Sequence, residues 1–190
     1  MSARRVQRSF AFIDMCGFTA YMDERGDEDA VQALSAMRAA IRSAAEEHGV
    51  RVAKWLGDGA MIVGVEHPPL VECTLAIQTW MPPGPWPQLR GGACTGQVLL
   101  FEGDDYVGRA VNIAARLCAA AAPGQILVAD ERPDGAEQIG LGERAEEMIE
   151  SQAELTLDAM QDGREGHSME VRGISSSIRV QQFDRRRQRH

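Results

Sequence analysis

Residues 50–65 read V-R-V-A-K-W-L-G-D-G-A-M-I-V-G-V. Two apolar runs, Val50–Leu56 and Ala60–Val65, flank Gly57-Asp58-Gly59. That pattern predicts a tight β-hairpin with Asp58 at its turn. Upstream, residues 10–14 (F-A-F-I-D) form an apolar run that ends on Asp14 and breaks at Cys16-Gly17, the pattern of a buried first strand. Between strand and hairpin, Val31, Leu34, Met37 and Ile41 recur at helical spacing over residues 29–48, and Gly49 supplies the stop. In a split β-α-β arrangement the hairpin's second strand runs antiparallel to the first. The end of the first strand then lies beside the hairpin turn, and Asp14 meets Asp58.

Further along, Pro68-Pro69 starts a second helix that runs through Leu75 and Ile77 towards Trp80. M-P-P-G-P-W-P-Q (81–88) is a rigid loop. Leu89–Phe101 reads as strand, residues 107–121 as helix and Gln125–Ala129 as strand. Residues 131–166 are acidic and Gly-rich with little periodicity, helical in part around Glu143–Leu155, and Ile178–Phe183 is a closing strand. Residues 1–8 and the basic 185–190 read as tails around one domain over 9–184. The fold class expected is α+β, a ferredoxin-like or palm-type split β-α-β sheet with helices packed on it.

The 190 residues suffice for one domain with a substantial core. A net charge of −8 argues against broad capture of nucleic acid or an anionic membrane, so an anionic ligand needs a few local cations or metal ions. The four cysteines, Cys16, Cys73, Cys94 and Cys118, have neither zinc-knuckle nor redox-pair spacing and read as reduced thiols. The N-terminus lacks the apolar core of a signal peptide, and no stretch approaches the roughly 20 apolar residues of a membrane-spanning helix. A cytoplasmic protein is the expectation.

Alone, a strand-end Asp is a cap or turn residue, and an Asp in Gly-Asp-Gly is a turn former. Brought together by the topology, Asp14 and Asp58 offer hard oxygen ligands suited to Mg2+ or Mn2+, and bound cations would relieve the repulsion between them. Met15-Cys16-Gly17-Phe18-Thr19 links the first strand to a helical region, where backbone amides can cradle phosphates. Asn112 and Arg116 are four apart and share a helix face. By themselves such a pair, a lone Lys54 or Asp105 in Gly-Asp-Asp-Tyr carry no assignment.

Together, residues 10–19 (F-A-F-I-D-M-C-G-F-T), 54–61 (K-W-L-G-D-G-A-M) and 104–117 (D-D-Y-V-G-R-A-V-N-I-A-A-R-L) resemble the class III adenylyl/guanylyl cyclase catalytic domain. The similarity spans about residues 9–130 and resumes weakly at Val171-Arg172-Gly173-Ile174. The short stretch from Thr95-Gly96 to Asp105 is similar to the short-armed bacterial subclass. The resemblance implies a catalytic fold that turns ATP into 3′,5′-cyclic AMP and pyrophosphate with two divalent metal ions, Mg2+ or Mn2+, per site. It implies Asp14 and Asp58 as metal ligands, and Lys54 and Asp105 as readers of adenine. Asn112 would orient the ribose and Arg116 would stabilise the transition state. Gly17, Phe18 and Thr19 would cradle phosphate, and Arg172 would help hold the triphosphate by analogy with a family lysine. It further implies a homodimer whose two sites each draw the metal aspartates from one chain and the remaining residues from the other. Two rival readings are a guanylyl cyclase, disfavoured by Lys54 and Asp105, and a catalytically silent cyclase-fold module, disfavoured by the complete residue set.

Overall fold

In a computed structural model of the chain, residues 4–101, 105–130, 164–170, 172 and 178–184 are described. The first strand, β1 (Arg4–Met15), is followed by helices α1 (Phe18–Arg25) and α2 (Asp27–Glu47). The hairpin is β2 (Arg51–Trp55) and β3 (Gly59–Gly64), and α3 (His67–Trp80) leads into β4 (Leu89–Phe101). Then come β5 (Asp105–Val107), α4 (Arg109–Ala120), β6 (Gln125–Asp130), β7 (Arg164–Met169) and β8 (Ile178–Asp184). The strands form one sheet in the order β2-β3-β1-β4-β6-β8-β7, with β5 pairing on β4. This is the α+β arrangement expected.

The hairpin, both long helices and β4 fall where the sequence places them. β1 begins earlier than expected, because Arg4–Arg8 pair with Leu100–Gly96 of β4, so residues 4–8 are strand and not tail. The helical region expected after Met15–Thr19 is α1, which buries no residue and has no apolar stripe, while two short strands were not expected: β5, which takes Val107 from the helix expected over 107–121, and the polar β7. The helix expected around Glu143–Leu155 lies outside the described residues.

Alternation along β1 divides the core. Ala11, Ile13 and Met15 face α2 and α3, where they pack with Met37, Ile41, Leu70 and Ile77. Phe10 points the other way, towards α4, and packs with Ile113 and Leu117. α4 is amphipathic, with Ala110, Ile113, Ala114, Leu117 and Cys118 buried. It presses so closely on β4 that a Cβ built on Gly92 would stand 2.2 Å from the Cys118 nitrogen and 2.4 Å from the Ala114 carbonyl oxygen. Glycine at 92 therefore sets the height of α4 over the sheet.

Candidate active site

Asp14 stands at the end of β1, opposite Gly59 of β3 and Arg90 of β4. The Met15 amide donates to the Asp58 carbonyl at 3.0 Å, which fixes the hairpin turn against the strand end. The structure thus brings Asp14 and Asp58 to one place, as the topology predicted. Gly57 has φ +72°, the left-handed conformation that the turn needs. Gly59 serves a different purpose: a Cβ there would meet the Ile13 carbonyl at 2.6 Å and sit 3.4 Å from Asp14 Oδ1.

Arg90 was not anticipated. Its Nη2 and Nε both donate to Asp14 Oδ2, at 2.7 and 2.9 Å, and its Nη1 donates to the Ala119 carbonyl at 3.2 Å. The hydrogen bond to the Asp14 carboxylate raises the Arg90 pKa, against a smaller opposing effect of burial. In sequence Arg90 is only a cation at the start of an apolar strand. Its role follows from the β1–β4 register, which spans 76 residues. Asp14 and Arg90 line a small open cleft of about 180 Å³ with Phe12, Leu56, Ala115 and Cys118.

The two aspartates fit divalent metal in a limited sense. Both donors from Arg90 go to one oxygen of Asp14, so Oδ1 carries no hydrogen bond among the described residues. No group of three or more His, Cys, Asp or Glu side chains that could hold a metal occurs among the described residues. Two carboxylates with the remaining positions left to substrate phosphates and water is the Mg2+ pattern of nucleotide enzymes, not that of an all-protein cage.

Lys54 and Asp105 form an ion pair, with Lys54 Nζ donating to Asp105 Oδ1, and each side chain is about half exposed. A β-bulge makes this contact. Val52 opposes Ile62 and Lys54 opposes Met61, so Ala53 is an extra residue in β2. In regular alternation Lys54 would share Val52's face, which packs on the α2–α3 side. The bulge turns it to the face of Ala53, Phe10 and Met61, where β5 delivers Asp105. Tyr106 steadies β5 by edge-on contact with Phe10 at 5.2 Å and by accepting from Arg51 Nη2 at 3.4 Å.

Asn112 and Arg116 are both exposed on α4, as their spacing predicted. Arg116 Nη1 donates to the Arg172 carbonyl, which brings those two residues together. Neither Asn112 nor Arg116 bonds to Asp14 or Asp58 among the described residues. Gly173 and Ile174 of the expected matching segment lie outside them. Gly17 adopts φ +69° and begins α1, Phe18 stacks on Tyr21 at 6.5 Å, and Thr19 is exposed. Among the described residues no side chain caps α1, so its first-turn amides have no side-chain acceptor there.

The Silicibacter pomeroyi adenylate/guanylate cyclase/hydrolase structure superposes with a TM-score of 0.69 at 26% identity, over 96% of this chain and 99% of that one. The chain has the class III cyclase catalytic fold. An uncharacterized protein of Mycobacterium tuberculosis is 37% identical over 126 residues, 65% of this chain and 32% of that protein. A pH-sensitive adenylate cyclase of the same species is 30% identical over 125 residues, 65% of this chain and 31% of its own length. The chain therefore spans about a third of the length of these curated relatives. No protein-family model matches it. No helix among the described residues is long and apolar enough to cross a membrane.

Proposed function

We propose that this class III domain is an adenylate cyclase, converting ATP to 3′,5′-cyclic AMP and pyrophosphate at sites shared between two copies of the chain. The Lys54–Asp105 pair carries the choice of base. A lysine donates and a carboxylate accepts. Adenine needs this combination at its N1 and exocyclic amine, while guanine presents a protonated N1 and a carbonyl.

The residues divide the work. Asp14 and Asp58 would hold the metal ions, which when bound supply charge neutralisation and a lowered pKa at the ribose 3′-hydroxyl. The uncapped start of α1, at Gly17, Phe18 and Thr19, offers amides to phosphate oxygens. Asn112 would hold the ribose so that its 3′-oxygen faces the α-phosphorus in line with the leaving pyrophosphate. Arg116 would stabilise charge on the α-phosphoryl oxygens, and Arg172, joined to it through its carbonyl, would help hold the triphosphate. Among the described residues of one chain Arg116 meets Arg172 and not Asp14, which supports a site completed by a second copy.

The test is a side-by-side assay of the purified chain with ATP and GTP in Mg2+ and in Mn2+. Cyclic AMP formation at least about tenfold above cyclic GMP formation is the expected outcome, the discrimination of one well-placed hydrogen-bond mismatch. Equal use of both nucleotides would overturn the assignment of the base readers, and no product from either would overturn the catalytic reading.

A further inference from the structure

Arg90 makes three hydrogen bonds with one guanidinium. Two go to the same oxygen of Asp14, and the third goes to the Ala119 carbonyl in the last turn of α4. Both partners of the ion pair keep access to solvent, at 30% and 28% side-chain exposure, so a cation can reach the carboxylate without unfolding anything. A guanidinium and a divalent cation on one carboxylate repel each other. Arg90 leaves Oδ1 open to a cation, but the two positive groups then share one carboxylate and each weakens the other's hold on it.

We propose that Arg90 is a built-in counter-cation for Asp14 that a metal ion has to displace, and that its third hydrogen bond reports this exchange to α4. Without metal, Arg90 neutralises Asp14 and holds it in one orientation. Metal arrival at Asp14 moves the guanidinium away from Oδ2 and loosens its bond to Ala119. Asn112 and Arg116 sit on the same helix. Occupancy at the aspartate of one composite site thereby alters the helix that serves the other. Arg90 is a positioning residue in this account, and the inference rests on the reading of Asp14 as a metal ligand.

The experiment is nucleotide-free Mn2+ titration of the full chain, with free Mn2+ read by electron paramagnetic resonance. Wild type, Arg90→Gln, Arg90→Lys, Asp14→Asn and the Asp14→Asn/Arg90→Gln double variant are compared. Arg90→Gln is expected to tighten Mn2+ binding about tenfold, the worth of one charge-assisted pair. Arg90→Lys, which keeps the charge but loses the fork, is expected to tighten it less. The double variant should lose the gain. In parallel, Mn2+ should speed hydrogen exchange over residues 115–121 in wild type and leave Arg90→Gln unmoved. Should Arg90→Gln not fold, the Lys variant carries both measurements. Binding that depends on Asp14 but is unchanged or weakened in the Arg90 variants would overturn the displacement alone. Mn2+ binding indifferent to Asp14→Asn would overturn the metal reading and the displacement with it.

Discussion

Lys54 and Asp105 lie 51 positions apart and meet as an ion pair between β2 and β5. Exposed pairs of this kind contribute about 0–1 kcal/mol to stability. Lys54→Met and Asp105→Asn should each unfold at nearly the wild-type denaturant midpoint. Their kcat/KM for ATP should fall about 10–100-fold, because each leaves a polar edge of the base unpaired at about 1–3 kcal/mol. Lys54→Glu with Asp105→Cys should weaken ATP use further. Wild-type ATP preference in the double variant would show that these residues do not read the base.

Asp14→Ala and Asp58→Ala should each abolish cyclic AMP formation while leaving the circular dichroism spectrum unchanged, with Asp14→Ala lowering the denaturant midpoint because it leaves the Arg90 guanidinium without its carboxylate partner. Assays at raised Mn2+ distinguish weakened metal affinity, which recovers, from a lost chemical step, which does not. Wild-type turnover in either variant would remove that residue from the metal site.

Asp14→Ala and Arg116→Ala should complement each other when co-expressed. A mixed dimer holds one intact site and one lacking both groups. Random pairing makes half the dimers mixed, so about a quarter of wild-type sites should return. Mixed dimers with no recovered cyclic AMP formation would rule out the shared site.

Gly92→Val should destabilise the fold by about 1–3 kcal/mol or more in denaturant unfolding, because the added side chain overlaps α4 backbone and cannot rotate clear. Activity should fall with stability, as displacing α4 moves Asn112 and Arg116 together.

Burial pushes the thiols of Cys73 and Cys118 up to about 12. These groups hold their protons in the folded chain where the unfolded chain, at about 9.0, releases them. Their contribution to stability is full below pH 9 and is lost as pH rises towards 12. Cys73→Ala should flatten the fall in melting temperature between about pH 9 and 11. At neutral pH native labelling should reach half-buried Cys16 before buried Cys73 and Cys118, although burial raises the Cys16 pKa as well.

The fold class, the hairpin, the two long helices, β4 and the meeting of Asp14 with Asp58 are legible in the residues alone. Each of these follows from short-range pattern: period-two and helical apolar spacing, a glycine-flanked turn, and the order strand, helix, hairpin. The placement of Asn112 and Arg116 on one face of α4 was equally local. The remaining features depend on contacts between distant segments. Lys54 reaches Asp105 because Ala53 bulges out of β2, a register event between strands that no local spacing records. Arg90 finds Asp14 through the pairing of β1 with β4, and β1 itself reaches back to Arg4 because β4 is long enough to pair with it. The extent of α1 was not legible because it buries no apolar stripe, and its start depends on the left-handed Gly17 that follows β1. Periodicity reveals what a segment buries against a core. Cross-strand register and helix height over a sheet arise only when segments far apart in the chain are brought together.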